Sequence, residues 1–353
     1  MNKKLIALAV ASACAAPVAM AQTANPVTLY GKVYATFESV SANGGTSVQN
    51  DATKNRTRVE DQASRLGVRG TEDLGGGLKA VFQLETAFRP DSNNTTFAAR
   101  NSGVGLQGGW GTVMMGRWDT PFKQMTGNID PFGDVTIGGF KTTMNDNGNF
   151  DRRDQNVVQY WSPVWGGFDF KLMYQASEGK TATMDPRDVG GSVEWKSGPF
   201  YITYAYEKHD DQVGSTGTAG KQETGHALGG TFAFGPLRVG LLAEKFKKDD
   251  RKDQKAWLGN LVWTIGNNQL IYQYGQQKDG GLNVAATQPD CNSNVFAWQY
   301  NFSKRTFFLA QYTQVKNDNI ASQCGSNTFN AAPFTIAGGQ DPKGVSLGLS
   351  HVF

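Results

Sequence analysis

Gly344-Val345-Ser346-Leu347-Gly348-Leu349-Ser350-His351-Val352-Phe353 closes the chain and decides how the rest of it is read. Val345, Leu347, Leu349 and Phe353 fall on one face of a strand, against Gly344, Ser346, Gly348 and Ser350 on the other, because side chains alternate with a period of two. A water-soluble domain seldom ends by exposing such a face. A membrane-spanning strand that turns its apolar side to lipid does so as a matter of course.

The same alternation runs back through the chain. From Val27 to Phe37, one face carries Val27, Leu29, Val33, Ala35 and Phe37, and the other carries Thr28, Lys32, Thr36 and two tyrosines. It returns in Phe168/Phe170/Leu172/Tyr174 against Asp169/Lys171/Gln175, in Phe200/Ile202/Tyr204/Tyr206 against Thr203/Glu207, and in Leu237/Val239/Leu241/Ala243 against Arg238/Glu244. Helical periodicity is hard to find after residue 21, so the chain is read as strands.

The links between strands alternate in length. Asp73-Leu74-Gly75-Gly76, Gly108-Gly109, Gly198-Pro199, Gly235-Pro236 and Gly266-Asn267-Asn268 are short and have turn chemistry. Ser41 to Asp61, Pro121 to Gln155, Asp210 to Gln222, Asp279 to Asn292 and Asn317 to Asp341 are long. Tight turns on one rim and long loops on the other are the rhythm of an outer-membrane barrel. The segments number about 16, which at ~11 residues each accounts for ~176 residues and leaves the remainder to loops, with no second domain. The fold expected is all-β, a 16-stranded antiparallel transmembrane barrel over residues 22–353.

Residues 1–21 read as a cleaved signal peptide. Met1-Asn2-Lys3-Lys4 supplies positive charge, Leu5 to Val18 an apolar run of about 14 residues, and Ala19-Met20-Ala21 a small-x-small cleavage site. That run is shorter than the ~20 residues a spanning helix needs. Loss of Lys3 and Lys4 takes the formal charge from +3 to +1, which is not the concentrated basic excess of a nucleic-acid binder. Cys291 and Cys324 are the cysteines left after removal of Cys14. They lie in the last two long links, on one rim, where a disulfide between them is expected; the alternative is two unpaired thiols.

Several segments resemble the general diffusion porins of Gram-negative bacteria, most closely those of β-proteobacteria. They are Leu29-Tyr30-Gly31-Lys32, the run Ser64 to Gly75 (SRLGVRGTEDLG), the run Gly111 to Arg117 (GTVMMGR), Pro131-Phe132-Gly133-Asp134 and the Phe353 terminus. The similarity extends from about Val27 to Phe353. It implies a passive water-filled channel in the cell outer membrane, a homotrimer in which the third long loop folds inward to narrow each pore. It also implies contact with outer-membrane lipid and lipopolysaccharide, and a terminal Phe353 strand read by the barrel-assembly machinery. Small ions and hydrophilic solutes are the expected cargo, with no cofactor.

Selectivity in such a channel is set by fixed charge around a narrow lumen. Lys32 alternates with Leu29 and Val33, and Arg65 and Arg69 alternate with Leu66 and Val68; an Arg or Lys facing lipid near the midplane costs about 2–4 kcal/mol, so the three point inward. The family's basic wall falls on positions matching Lys32, Arg65, Arg117 and Arg153, with Arg152 beside them. Arg117 shares a face with Val113 and Met115 by simple alternation. Either a bulge re-aims it or those apolar side chains pack beneath the inward loop. On the opposing side the resemblance points to Asp130 and Asp134, which flank Pro131-Phe132-Gly133; each could equally be a solvated loop carboxylate or an Asx turn. Phe132 stands where the family often has a second acid directly after proline, so the negative side is thin and a modest anion preference is expected.

A barrel enzyme would need a nucleophile with an oriented base. His209, His226 and His351 are the only histidines; His209 reads as the edge of a loop and His351 as lipid-facing, and the three have no metal-ligand spacing. No catalytic or metal site is expected. Trp257, Trp263, Trp298, Tyr204 and Tyr206 fall on apolar strand faces, where an interfacial girdle explains them better than a sugar track.

Overall fold

The computed structural model describes residues 27–353 except 45–54, 93–94, 134, 141–149, 214–215, 250, 280–289, 319–323, 326–335 and 337. The segment read as a signal peptide lies outside the described residues. Eighteen strand segments form one antiparallel sheet whose first and last members pair, so the sheet is a closed barrel. Two of its staves are interrupted. β2 (Asn55–Asp61) and β3 (Arg65–Gly75) both pair with β1 (Val27–Gly44), and β5 (Thr95–Thr96) and β6 (Ser102–Gly108) both pair with β4 (Leu78–Phe88). Each couple is one stave with a break in it, which brings eighteen segments to the sixteen staves expected. The break between β2 and β3 is a corner in which the Asp61 carboxylate accepts from the Ser64 amide (3.0 Å) and Ala63 takes φ 56°.

The remaining segments follow around the barrel: β7 (Gly111–Asp119), β8 (Arg153–Trp161), β9 (Phe168–Gln175), β10 (Arg187–Ser197), β11 (Phe200–Val213) and β12 (Thr216–Phe234). They continue as β13 (Leu237–Lys248), β14 (Arg251–Ile265), β15 (Asn268–Asp279), β16 (Cys291–Asn301), β17 (Thr306–Asn317) and β18 (Gln340–Val352). Polarity is inverted relative to a soluble protein. Leu29, Leu241, Phe296 and Leu349 are exposed on the outside, whereas Thr36, Glu38, Gln159, Gln273 and Ser346 are buried inside. A lipid exterior makes this arrangement favourable, and closure leaves no strand edge unpaired in it.

The seam lies between β18 and β1. Lys32 pairs with Val352, and just beyond it Gly31 and Phe353 exchange two backbone hydrogen bonds of 3.0 Å. A Cβ at position 31 would strike the Phe353 ring and the Arg65 carbonyl, so the close approach requires glycine.

Three features differ from the sequence reading. Asp210 to Gln222 is not a long loop, because β11 continues to Val213 and β12 begins at Thr216; a ladder needs only backbone groups, and a polar stretch beyond the membrane looks like loop. Cys291 likewise opens β16 instead of lying in a loop. The chain also holds a helix, α1 (Pro121–Ile129). Thr120 caps it by accepting from the Lys123 amide (3.2 Å), Pro121 occupies its first turn, and Phe122, Met125, Thr126 and Ile129 form its buried face.

Candidate pore constriction

Helix α1 begins the third long loop, which turns into the barrel because its apolar face has a matching wall. Phe122, Met125, Ile129, Ile137, Phe140 and Phe150 are all buried, in a cluster with Ala205, Ala227, Leu242, Phe246 and Leu258 from the inner faces of β11 to β14. Polar ties then fix the path. Asn260 donates to the Ile129 carbonyl (3.1 Å), Arg238 to that of Asn128 (2.8 Å), Gln273 to that of Gly138 (2.9 Å), and the Thr136 amide donates to Gln62 (2.7 Å). The loop therefore runs along the wall from β11 to β17, packs Phe132 in one cluster with Tyr34 of β1, reaches the β2–β3 corner, and leaves the remainder of the β1–β9 sector bare.

Between loop and bare sector is a cavity of about 760 Å³. Among the described residues, six basic side chains line it: Lys32, Arg65, Arg100, Arg153 and Lys171 from the bare sector, and Lys123 from α1. Four acids share the cavity, Asp119 from β7 in the same sector and Asp130, Asp151 and Glu244 from the inward loop and β13. Most of the cations are held by carboxylates. Arg100 meets Glu85 at 2.6 Å and Arg65 the same group at 3.9 Å, Arg153 meets Asp119 at 2.9 Å, Lys171 meets Glu194 at 3.1 Å, and Lys123 meets Asp151 at 3.5 Å. The Lys32 ammonium sits 5.2 Å from the centre of the Tyr34 ring. Such pairs hold long side chains in place in the lumen, where hydration and counter-charge would otherwise let them wander.

Lys32, Arg65, Arg153 and Asp130 are thus brought to one cavity. Asp130 is engaged by the loop itself: its carboxylate accepts from the amides of Phe132 (2.9 Å) and Phe140 (2.6 Å), the Asx turn foreseen as the alternative. Asp134 lies outside the described residues. Arg69 points inward but lines a separate cavity of about 610 Å³ nearer the short turns, with its guanidinium 5.0 Å from the Tyr30 ring centre.

Arg117 and Arg152 differ most from their expected place. Alternation is kept along β7, so Met114 and Trp118 enter a buried inner cluster and Arg117 stays on the face of Met115; the bulge in the β7–β8 pairing between Gly116 and Trp118 puts its extra residue on β8 and does not turn Arg117. Arg117 and Arg152 line a depression of about 380 Å³ shared with Gln155, Asn156 and Gln175. Arg152 is held there by Asp154 (2.8 Å) and, closer still, by Asp188.

Arg100, Lys123, Lys171, Asp119 and Glu244 escaped the sequence reading. Lys171 carried a usable signal, since it alternates with Phe170 and Leu172 as Lys32 does with its neighbours. Arg100 carried none, because it sits in an irregular link where no period fixes its direction. Cys291 and Cys324 form a disulfide, buried in the same cluster as Phe140 and Ile336. His209 is not at a loop edge; it is fully buried on the inner face of β11, between Glu207 (2.8 Å) and Glu223 (2.9 Å). Among the described residues no group of three potential ligands could hold a metal ion.

A family profile described as Gram-negative porin matches residues 7–320. Outer membrane porin protein 32 of Delftia acidovorans is 33% identical over 368 residues, covering all of both chains. Major outer membrane protein P.IB of Neisseria gonorrhoeae is 27% identical over 334 residues, 88% of this chain and 92% of that one. Among solved structures, an anion-selective porin from Comamonas acidovorans superposes with a TM-score of 0.79 at 27% identity, over 93% of this chain and 99% of that one. OmpT of Vibrio cholerae gives a TM-score of 0.68 over 94% of this chain and 99% of that one, at 14% identity, a likeness of fold alone.

Proposed function

The chain belongs to the Gram-negative porin family, and from that premise we propose that its outer-membrane channel favours anions modestly, through a constriction lined by Lys32, Arg65, Arg100, Arg153 and Lys171. It is a porin, a water-filled path for passive diffusion of small hydrophilic solutes, and not an enzyme. The observation that carries the anion preference is that six basic side chains line the cavity against four acidic ones, Asp130 of these turned to its own loop, while Glu85 and Glu194 stand behind the cations they hold. Fixed charge in a low-dielectric wall raises the local concentration of the opposite ion. A porin whose fold this chain shares is described as anion-selective, which agrees.

The same reading includes assembly. Residues 1–21 act as an export signal removed before folding, and Phe353 as the mark by which the assembly machinery recognises the last strand. Three copies associate through the sector from β18 to β7. Support comes from its outer surface: among the described residues, no Trp or Tyr faces outward within those strands, where Leu, Val, Ala, Ser and Thr dominate, and Trp110, in the turn between β6 and β7 at the sector's edge, stacks on Tyr160 of β8, whereas Tyr160, Tyr204, Trp257, Trp263, Tyr272 and Trp298 face outward from β8 to β16. Interfacial aromatics mark lipid contact, and their absence suits a protein neighbour.

The experiment is reversal potential in a salt gradient across a planar bilayer, with single-channel recording. Anion preference, and conductance steps that close in three equal parts, are the results expected. A clear cation preference would remove the assignment of the constriction.

A further inference from the structure

Four basic residues stand side by side on the outer face of the barrel, away from the pore. The register sets His226 of β12 opposite Lys245 of β13, Lys245 opposite Lys255 of β14, and Lys255 opposite Lys278 of β15. Their chain neighbours Glu244, Phe246, Gln254, Ala256 and Gln277 are buried on the inner side, so by alternation all four side chains point outward. Lys255 and Lys278 are exposed, as is Lys247 two residues beyond Lys245.

Like charges directly opposite each other work against strand pairing, and here two such pairs are consecutive. On β14 one acid answers them: Asp253 meets Lys245 at 2.9 Å. Directly opposite residues have β-carbons about 5 Å apart, so adjacent ammonium groups can converge on a single doubly charged anion.

The height of the row identifies the anion. Trp257, two residues from Lys255 on the membrane side, packs on Tyr274 of β15 with ring centres 5.1 Å apart, and its indole donates to Gln276 (3.0 Å). An outward Trp–Tyr pair of this kind sits at the boundary between hydrocarbon and headgroups. The ammonium groups lie just beyond it, on the rim of the long loops, which faces the exterior. We propose that Lys245, Lys255 and Lys278 form a binding site for the phosphate groups of an outer-leaflet glycolipid. The proposal rests on the outer-membrane reading and names the lipid contact within it. The site is on the aromatic-rich side of the barrel, remote from the sector assigned to subunit contacts.

The test uses the purified full-length porin in detergent, with bisphosphorylated lipid A and its dephosphorylated counterpart as probes, read by native mass spectrometry. The wild type binds the bisphosphorylated form and discriminates against the other. K245Q/K255Q/K278Q loses roughly 100-fold in affinity and K255Q alone about five-fold, at the increment typical of one lysine near an anionic headgroup. K245R/K255R/K278R retains binding. Equal binding of the two probes by the wild type, or unchanged affinity in the glutamine variants, overturns the site. Single-channel conductance of the same preparations reports the pore separately and stays at the wild-type value in every variant.

Discussion

The Nε of Arg100 lies 2.6 Å from Oε1 of Glu85, and through that one carboxylate two arginines of the pore wall, Arg100 and Arg65, share an anion. Glu85 also accepts from the Tyr30 hydroxyl at 3.0 Å. Glu85→Gln removes the shared charge and leaves both cations, so anion preference rises. One unit charge about 6 Å from a passing ion in water is worth a roughly three-fold change in permeability ratio. Reversal potentials check this, and a fall in anion preference would refute it. Arg65→Gln shifts the ratio the opposite way by a similar factor.

Asp130 serves the shape of the constriction more than its charge. Asp130→Ala deprives the Phe132 and Phe140 amides of their acceptor and costs the loop about 2–3 kcal/mol, the range for hydrogen bonds to a charged group. The expected record is a noisier open channel, with anion preference raised by no more than the roughly three-fold that loss of one unit charge allows. A large selectivity change with quiet current would show instead that the carboxylate faces the solute.

Gly31→Val places a branched side chain where the Phe353 ring and the Arg65 carbonyl already sit. The seam then cannot close as it stands. The yield of folded barrel that runs compact on unheated gel electrophoresis falls sharply, and Gly31→Ala, with less to accommodate, falls less.

Reduction of the disulfide removes a cross-link spanning 33 positions, worth about 3–4 kcal/mol in the chain-entropy account. Because the bridge is packed against the cluster that holds Phe140, thermal unfolding in detergent moves to lower temperature and the inward loop becomes accessible to protease first.

Acid loosens the link between β9 and β10. The Ser177 hydroxyl and the Lys180 ammonium, 3.1 Å away, hold the Asp185 carboxyl below the usual carboxylate range. A lowered folded-state pKa contributes order that is present above the unfolded value near 4 and is lost as pH falls through the folded value. Amide exchange over 181–185, corrected for intrinsic rates, is protected at pH 7 and loses protection as the pH falls below the unfolded value. Asp185→Asn shows the weaker protection throughout.

The barrel was legible because lipid imposes the same demand on every stave, so Leu29, Leu172, Leu241 and Leu349 announce one face and Lys32 and Lys171 the other. What could not be read depends on contacts between distant segments. Arg117 belonged to the wall only by resemblance; alternation kept it on the face of Val113 and Met115, and there the structure leaves it. Phe246 and Leu242 are apolar residues on the lumen side, and their meaning appears only when the third loop is laid on them. His209 looked peripheral because the polar strand that carries it past the membrane is indistinguishable from loop in composition. Arg100 reaches the pore from an irregular link, beyond the scope of any periodic rule.

The seam between β1 and β18 joins positions about 320 residues apart, with thirteen paired positions from Lys32/Val352 to Gly44/Gln340. Bringing such distant ends together costs about 5 kcal/mol of loop-closure entropy, little more than for a chain half as long, so the junction is a modest burden at equilibrium. In time it is the reverse. Every other stave finds its partner next to it in the chain, but β1 must wait, with one edge unsatisfied, until the final residues have been made and delivered. Assembly of this protein is therefore governed by its last event, and any factor that holds the open edge of β1 apart from other chains controls how much finished channel is obtained.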